Sequence, residues 1–342
     1  MPARILRVDP ASPERGVIAE AAAILASGGL VAFPTETVYG LGADAFNARA
    51  VGRLFEVKGR PADNPLIVHI ADEAALAGLV TDLPEVARAL MAHYWPGPLT
   101  LVLPASPSVP AVTRGGLPTV AVRMPSHAVA LALIRASGRP IAAPSANRSG
   151  RPSPTTAHHV VADLGDSIDL VLAAGPTPVG VESTVVDVTG RVPVLLRPGG
   201  VGLEALERVV GRVEVASAGS TALARSPGTR HRHYAPRARV VVVEAPPARI
   251  AQELADAVRR LWDEGLRVGV MVTAESLPGM PPGAVVRVMG ARSDPATIAA
   301  SLYAHLRELD EAGLDAIVVE GIPEEGLGRA VMDRLRRAAA LG

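Results

Sequence analysis

LVAFPTETVYGLGADAFNARAVGRLFEVKGRPADNPLIVHI, residues 30–70, sets out the pattern that the whole chain repeats: apolar run, polar loop, capped helix, apolar run. Leu30 to Phe33 predicts a strand, and Pro34 to Gly42 a polar loop at its end. Asn47 is placed to cap a helix whose Ala50, Val51, Leu54 and Phe55 keep a 3.6-residue period. That helix stops at Gly59, before the turn-forming Arg60-Pro61, so Lys58 falls in its last turn. Leu66 to Ile70 predicts the next strand. Upstream, Ser12-Pro13-Glu14 reads as the start of a helix running to Ser27, ahead of Gly28-Gly29.

The same alternation continues downstream. Strands are predicted at Leu99 to Leu103, Thr119 to Met124, Pro140 to Pro144, Ile168 to Leu172, Ser183 to Val188 and Val194 to Arg197. Helical spacing covers Leu83 to Tyr94, Ser126 to Ser137, Thr156 to Leu164 and Leu203 to Val210. Residues 216–237, ASAGSTALARSPGTRHRHYAPR, are small, polar and punctuated, which marks a linker. Beyond it, strands at Val240 to Val243, Val268 to Val272, Val285 to Val288 and Ala316 to Val319 alternate with helices at Pro247 to Glu264, Pro295 to Ala312 and a last one reaching Leu341. The expected fold class is therefore α/β, with a first domain over 1–215 and a smaller parallel-sheet domain over 238–342.

Composition narrows the chemistry. The 342 residues are 49% hydrophobic and 20% charged, enough apolar material for packed cores. With no Cys, disulfides, thiolate nucleophiles and Cys-containing zinc sites are excluded. Basic and acidic residues balance at 34 each, but unevenly: 22 against 19 through Arg237, and 12 against 15 beyond it. An anion site belongs in the first part. The opening residues lack an apolar leader core, and no window reaches the ~18 apolar residues of a membrane span, so the expected location is the cytoplasm.

Lys58 is the single Lys among the 34 basic residues. A compact ammonium suits a crowded anionic site in a way a planar guanidinium does not, whereas a cation that only closes a helix could equally be Arg. Neither G-x-x-x-x-G-K-[ST] nor G-x-G-x-x-G after a strand occurs, and G-x-S-x-G and H-E-x-x-H are absent too. The pairs His158-His159 and His231, His233 lack acidic companions at ligand spacing, so no protein-held metal is expected. Polar loops instead follow strands at Pro34 to Gly42, at Lys58-Gly59-Arg60-Pro61 with Asn64, and at Pro144-Ser145-Ala146-Asn147. Open α/β sheets bind ligands at such ends, so the three loops could share one crevice.

FPTETVYGLGADA, the K-G-R-P of Lys58 to Pro61, NPLIVH from Asn64 to His69, TVAVRMP from Thr119 to Pro125, PSAN, ESTVVD from Glu182 to Asp187 and LRPGG from Leu196 to Gly200 together resemble the YrdC/Sua5 family. SPGTRHRHYAP, Ser226 to Pro236, and the extra domain resemble its longer, two-domain Sua5 form. The resemblance implies a YrdC-like twisted open mixed sheet, a Rossmann-like second domain and a linker folding over the active site. It implies an L-threonylcarbamoyladenylate synthase that uses L-threonine, bicarbonate and ATP, with Mg²⁺, for the t6A modification of tRNA at position 37. Other proteins of that pathway would transfer the threonylcarbamoyl group, so contact with tRNA is expected to be indirect or weak.

By the family pattern Thr37, His69, Arg123, the Ala143 carbonyl and Ser183 would hold L-threonine. Arg60, Asn64, Thr119, Ser145, Asn147, Ser153, Arg197 and Tyr234 would hold ATP, with Lys58 and Arg60 catalytic. Taken singly, His69 reads as a core histidine, Ser183 and Thr119 as strand residues and Arg197 as a surface charge. Two rivals remain open. One is a carbamoyl-adenylate-forming carbamoyltransferase, whose known proteins add Cys-rich zinc modules that this chain cannot build. The other is a duplex-RNA-binding module, which the small basic excess and 3% aromatic content disfavour.

Overall fold

In the computed structural model Asn47 Oδ1 accepts the Ala50 amide at 3.1 Å, the helix Ala48–Lys58 follows, and Gly59 closes it at φ 60° in the left-handed region that glycine adopts without strain. One face of this helix buries Val51, Leu54 and Phe55, each such side chain contributing roughly 1.5–3 kcal/mol. The first helix differs from its expected start. It runs Arg15–Ala26 without a side-chain cap, because Asp9 Oδ1 instead gathers the amides of Ala11 and Ser12 in a turn ahead of it.

The structure describes residues 2–217, 220–226 and 234–340. They fall into two units, one of Met1–Ser149, Ser153–Pro178 and Glu182–His231, the other of Gly150–Pro152, Val179–Val181 and Arg232–Gly342. The first unit contains an eleven-stranded sheet: β1 (Arg4–Arg7), β2 (Val31–Phe33), β3 (Gly40–Asp44), β4 (Ile67–His69), β5 (Leu99–Pro104), β6 (Thr119–Arg123), β7 (Ile141–Ala142), β8 (Leu170–Ala173), β9 (Thr184–Asp187), β10 (Val194–Arg197) and β11 (Glu214–Val215). Their order is β1-β8-β2-β3-β7-β4-β6-β5-β9-β10-β11, with parallel and antiparallel pairs mixed.

Three strands depart from the sequence reading, one of them the short β11 beside β10. β1 was not expected; it pairs with β8 in parallel, Ile5 opposite Val171. The loop expected over Pro34 to Gly42 ends early, since Gly40 to Asp44 turn back beside β2 as β3. Gly42 permits this: a Cβ there would stand 2.8 Å from both Phe33 Cε1 and Ile141 Cγ2. Within the expected linker, Thr221–Arg225 form a single 3₁₀ turn, and Arg225 Nη1 meets Asp187 Oδ2 at 2.7 Å. The basic stretch from Arg230 to His233 lies outside the described residues.

The second unit is a parallel sheet of β12 (Arg239–Val243), β13 (Val268–Thr273), β14 (Val285–Gly290) and β15 (Ala316–Glu320), ordered β12-β15-β13-β14. Its helices are Ile250–Asp263, Pro295–Glu311 and Leu327–Ala339. Leu254, Val258 and Leu261 of the first pack with Val270 and Val318 in one core. Among the described residues no helix is long and apolar enough to cross a membrane.

Candidate active site

Strand register brings the first candidates into line. His69, last in β4, stands opposite Arg123, last in β6, and Arg123 stands opposite Thr100 in β5. Side chains in register on neighbouring strands share a face of the sheet, so these three form one polar row in an otherwise apolar floor.

Arg123 is buried and all three of its guanidinium nitrogens are engaged. Nε donates to the Gly97 carbonyl at 3.2 Å and Nη1 to Thr37 Oγ1 at 2.9 Å, while Nη2 lies 2.7 Å from Glu36 Oε1. Glu36 is 6% exposed, and its contact with Arg123 is an ion pair without the direction of a hydrogen bond. Thr35 Oγ1 shapes the loop, taking the Thr37 and Val38 amides and meeting Thr37 Oγ1 at 2.8 Å. A guanidinium held among backbone, hydroxyl and carboxylate in a buried row is fixed in one orientation.

His69 is buried beside that guanidinium, edge-on to Phe33. Burial first, and the Arg123 charge second, push its pKa down to about 3, so the ring is neutral at physiological pH. The unfolded chain takes up a proton at this position below about pH 6.5 and the folded chain does not. Stability from this source is therefore complete above pH 6.5 and declines toward pH 3, by up to about 1.4 kcal/mol per pH unit. Acid unfolding of His69→Asn should be less steep than that of the parent across this window; identical slopes would contradict the assignment.

Lys58 is 3% exposed, and Nζ donates to the Ser145 carbonyl at 2.5 Å and to the Asn147 carbonyl. Burial and then the Arg60 charge press its pKa well below the usual ammonium range, with Asp163 opposing them. The ammonium thus fastens the helix end to the PSAN loop. That loop is fastened in turn to residues 39–41: Ala146 N donates to Tyr39 O at 2.8 Å, Leu41 N to Pro144 O at 2.9 Å, and Gly40 bridges Ser145. Arg60 sits two residues past Lys58 and grips its own loop, Nη2 donating to Asn64 Oδ1 at 2.7 Å and to Pro65 O at 2.9 Å.

On the other side of the row, Thr100 Oγ1 lies 2.8 Å from Ser183 Oγ, and Arg197 donates to the Ser183 carbonyl (2.9 Å) and hydroxyl (3.2 Å). Ser153 Oγ donates to Glu182 Oε1 at 2.5 Å. Gly199 lets the LRPGG loop close on this segment, because a Cβ would stand 2.3 Å from Ser183 C and Thr184 N. Hydrogen bonds and strand register thus link Lys58 to Ser145 and Asn147, Thr37 to Arg123 beside His69, Ser183 to Arg197, and Ser153 to Glu182.

Thr119 opens β6, four residues and roughly 13 Å from Arg123 along the strand. Ala143 is held through its amide, which donates to Ile67 O at 2.9 Å. Tyr234 belongs to the second unit, where its ring stacks on Tyr303 with centroids 5.7 Å apart. Sequence reasoning passed over Glu36 and Glu182, although both lie inside quoted motifs, and a buried Arg123 calls for a counter-charge. Thr100 carried no signal, being a Thr in an apolar strand.

Residues 23–199 match the Sua5/YciO/YrdC family model, described as "Telomere recombination", and residues 201–340 match the model described as "Threonylcarbamoyl-AMP synthase, C-terminal domain". The chain is 50% identical to a threonylcarbamoyl-AMP synthase of Pyrococcus abyssi over 93% of both chains. It is also 50% identical to one of Bacillus subtilis, over 94% of this chain and 92% of that one. The crystal structure of P. abyssi Sua5 complexed with L-threonine superimposes with a TM-score of 0.93 at 48% identity, covering 98% of this chain and 97% of that one. A family match over both halves, full-length relatives and the shared two-unit architecture place this chain in the two-domain Sua5 branch of the Sua5/YciO/YrdC family.

Proposed function

We propose that this chain is a threonylcarbamoyl-AMP synthase, which converts L-threonine, bicarbonate and ATP to L-threonylcarbamoyladenylate, diphosphate and water. The observation that carries the reading is the buried Arg123, set between Thr37 and the neutral His69 in a chain half identical to proteins of that name. In this reading the carboxylate of threonine lies on the Arg123 guanidinium, with Thr37, His69, Ser183 and the Ala143 carbonyl about the rest of the amino acid. A neutral ring at His69 can hydrogen-bond there without adding a charge.

The ATP phosphates lie along Lys58, Arg60 and Arg197, with Asn64, Thr119, Ser145, Asn147 and Ser153 about the nucleotide. Bicarbonate takes up a proton and its C–O bond breaks to release water and CO₂; the amine nitrogen of threonine then bonds to the CO₂ carbon and loses a proton. A carbamate oxygen then attacks the α-phosphorus in line, the bond from that phosphorus to the bridging oxygen breaks, and diphosphate leaves. The protein's part is to bring two anionic reactants together and offset their charge. Mg²⁺, expected beside ATP, finds no protein cage: among the described residues no three His, Asp or Glu converge, and Glu36 and Glu182 are engaged with Arg123 and Ser153. We place it on the nucleotide's phosphates. The adenylate would pass in the cytoplasm to proteins that complete t6A on tRNA.

Diphosphate release by the purified chain should require ATP, L-threonine and bicarbonate together, with L-serine a poor replacement. Release that depends on carbamoyl phosphate would instead identify a carbamoyltransferase. No release under any condition, with salt-sensitive RNA binding, would identify a binding module.

A further inference from the structure

Gly150–Pro152 and Val179–Val181 interrupt the sequence of the first unit, yet they belong to the second. Each runs directly into one end of a hydrogen bond: Pro152 precedes Ser153, Val181 precedes Glu182, and Ser153 Oγ donates to Glu182 Oε1. We propose that the helix Pro295–Glu311 is a positioning element for the nucleotide half of the site, holding these two segments in register through one stripe of its surface. The proposal rests on the assignment of Ser153 to ATP.

The stripe is Ala299, Tyr303, Arg307 and Asp310, spaced four, four and three apart and so on one helix face. At its start the helix backbone meets Gly180, where a Cβ would stand 2.3 Å from Ala299 O and 2.4 Å from Ala300 Cα, at a φ of +77°. Both the conformation and the space demand glycine, so segment 179–181 has one seat on the helix. Further along, Arg307 is 1% exposed and Nη2 donates to the Pro152 carbonyl. Burying a guanidinium is unfavourable unless its donors are matched. An apolar side chain would fill the volume without that cost, but could not hold a carbonyl. At the end, Asp310 Oδ2 lies 3.7 Å from Arg151 Nη2, and Oδ1 takes the Arg237 and Ala238 amides at 2.7 and 3.1 Å.

The same face fixes the chain leading into the second unit. Tyr234 has φ 67°, which no other non-glycine among the described residues shares, and its ring lies on Tyr303 with the Arg334 guanidinium 5.1 Å from its centroid. Ala235 N closes the set, donating to Gly150 O at 2.9 Å. A left-handed Tyr persists when its surroundings over-determine it. One helix face thereby holds both Pro152 and Val181, the sequence neighbours of Ser153 and Glu182.

The test compares full-length Arg307→Met, Arg307→Lys and Ser153→Ala. Arg307→Met keeps bulk but removes the donor; it should raise the KM for ATP at least fivefold, with threonine affinity within twofold of the parent. Arg307→Lys, which restores a donor, should recover part of the loss. An unchanged KM for ATP in Arg307→Met, while Ser153→Ala raises it, overturns the positioning role. An unchanged KM in Ser153→Ala overturns the nucleotide assignment beneath it, and the proposal with it. Should Arg307→Met not fold, hydrogen exchange on the parent decides. ATP must stabilise the contacts that favour its binding, so amides of 295–311 should exchange more slowly with ATP present, and unaltered exchange overturns the proposal.

Discussion

Arg at position 58 should lower kcat/KM for diphosphate release at least a hundredfold, with a cooperative fold retained. Lys58 Nζ reaches the Ser145 and Asn147 carbonyls as a compact point donor from a buried helix end. An ammonium has three N–H groups: two hold the loop, and under the proposed function the third would meet a phosphate oxygen. A guanidinium is larger and planar and cannot place three donors about one point; fitting it there displaces the PSAN loop, at about 1–3 kcal/mol of overpacking. If the Lys58 ammonium faces the reacting phosphate as proposed, its loss compares with that of an oxyanion-hole donor, about 2.7–4 kcal/mol or roughly 10²–10³ in rate. Steady-state kinetics beside a thermal melt separates the two effects. Turnover within threefold of the parent would refute the role given to the ammonium.

Lys at position 123 is the second large effect, and it falls on the amino acid. Arg123 spreads its donors over Gly97, Thr37 and Glu36, and a single ammonium cannot meet all three. The buried Glu36 carboxylate loses part of its compensation; breaking a buried pair outright costs about 3–5 kcal/mol. The expected result is a KM for threonine raised about 10²-fold or more, a KM for ATP changed far less, and a lower melting temperature. Equal losses for both substrates would mean that Arg123 maintains the sheet rather than receiving threonine.

Much of this architecture was legible because it is local. Asn47, the apolar spacing to Phe55 and Gly59 specify the helix Ala48–Lys58 by capping and periodicity alone, and the structure returns it residue for residue. β3 was missed because Gly40 and Gly42 weaken any local strand signal, and what makes them a strand is close packing on Phe33 and Ile141, far away in sequence or on another strand. Two Arg flanking only Ile5 and Leu6 hid β1 for a similar reason: its partner β8 lies more than 160 residues on. In the site, residue types marked the cations and hydroxyls, but not their wiring. That Lys58 ties down a loop, or that Glu36 sits against Arg123, depends on which strands become neighbours, and no spacing rule states it.

The solitary buried Lys58 also gives the protein an unusual chemical simplicity. An acylating reagent that modifies primary amines meets, besides the α-amino group, one target in 342 residues, and in the native fold that target is enclosed and hydrogen-bonded to two carbonyls. Its rate of acylation therefore follows one event, the parting of the helix end from the PSAN loop, so the chain carries a built-in reporter of opening at the very place where its phosphates are expected to bind.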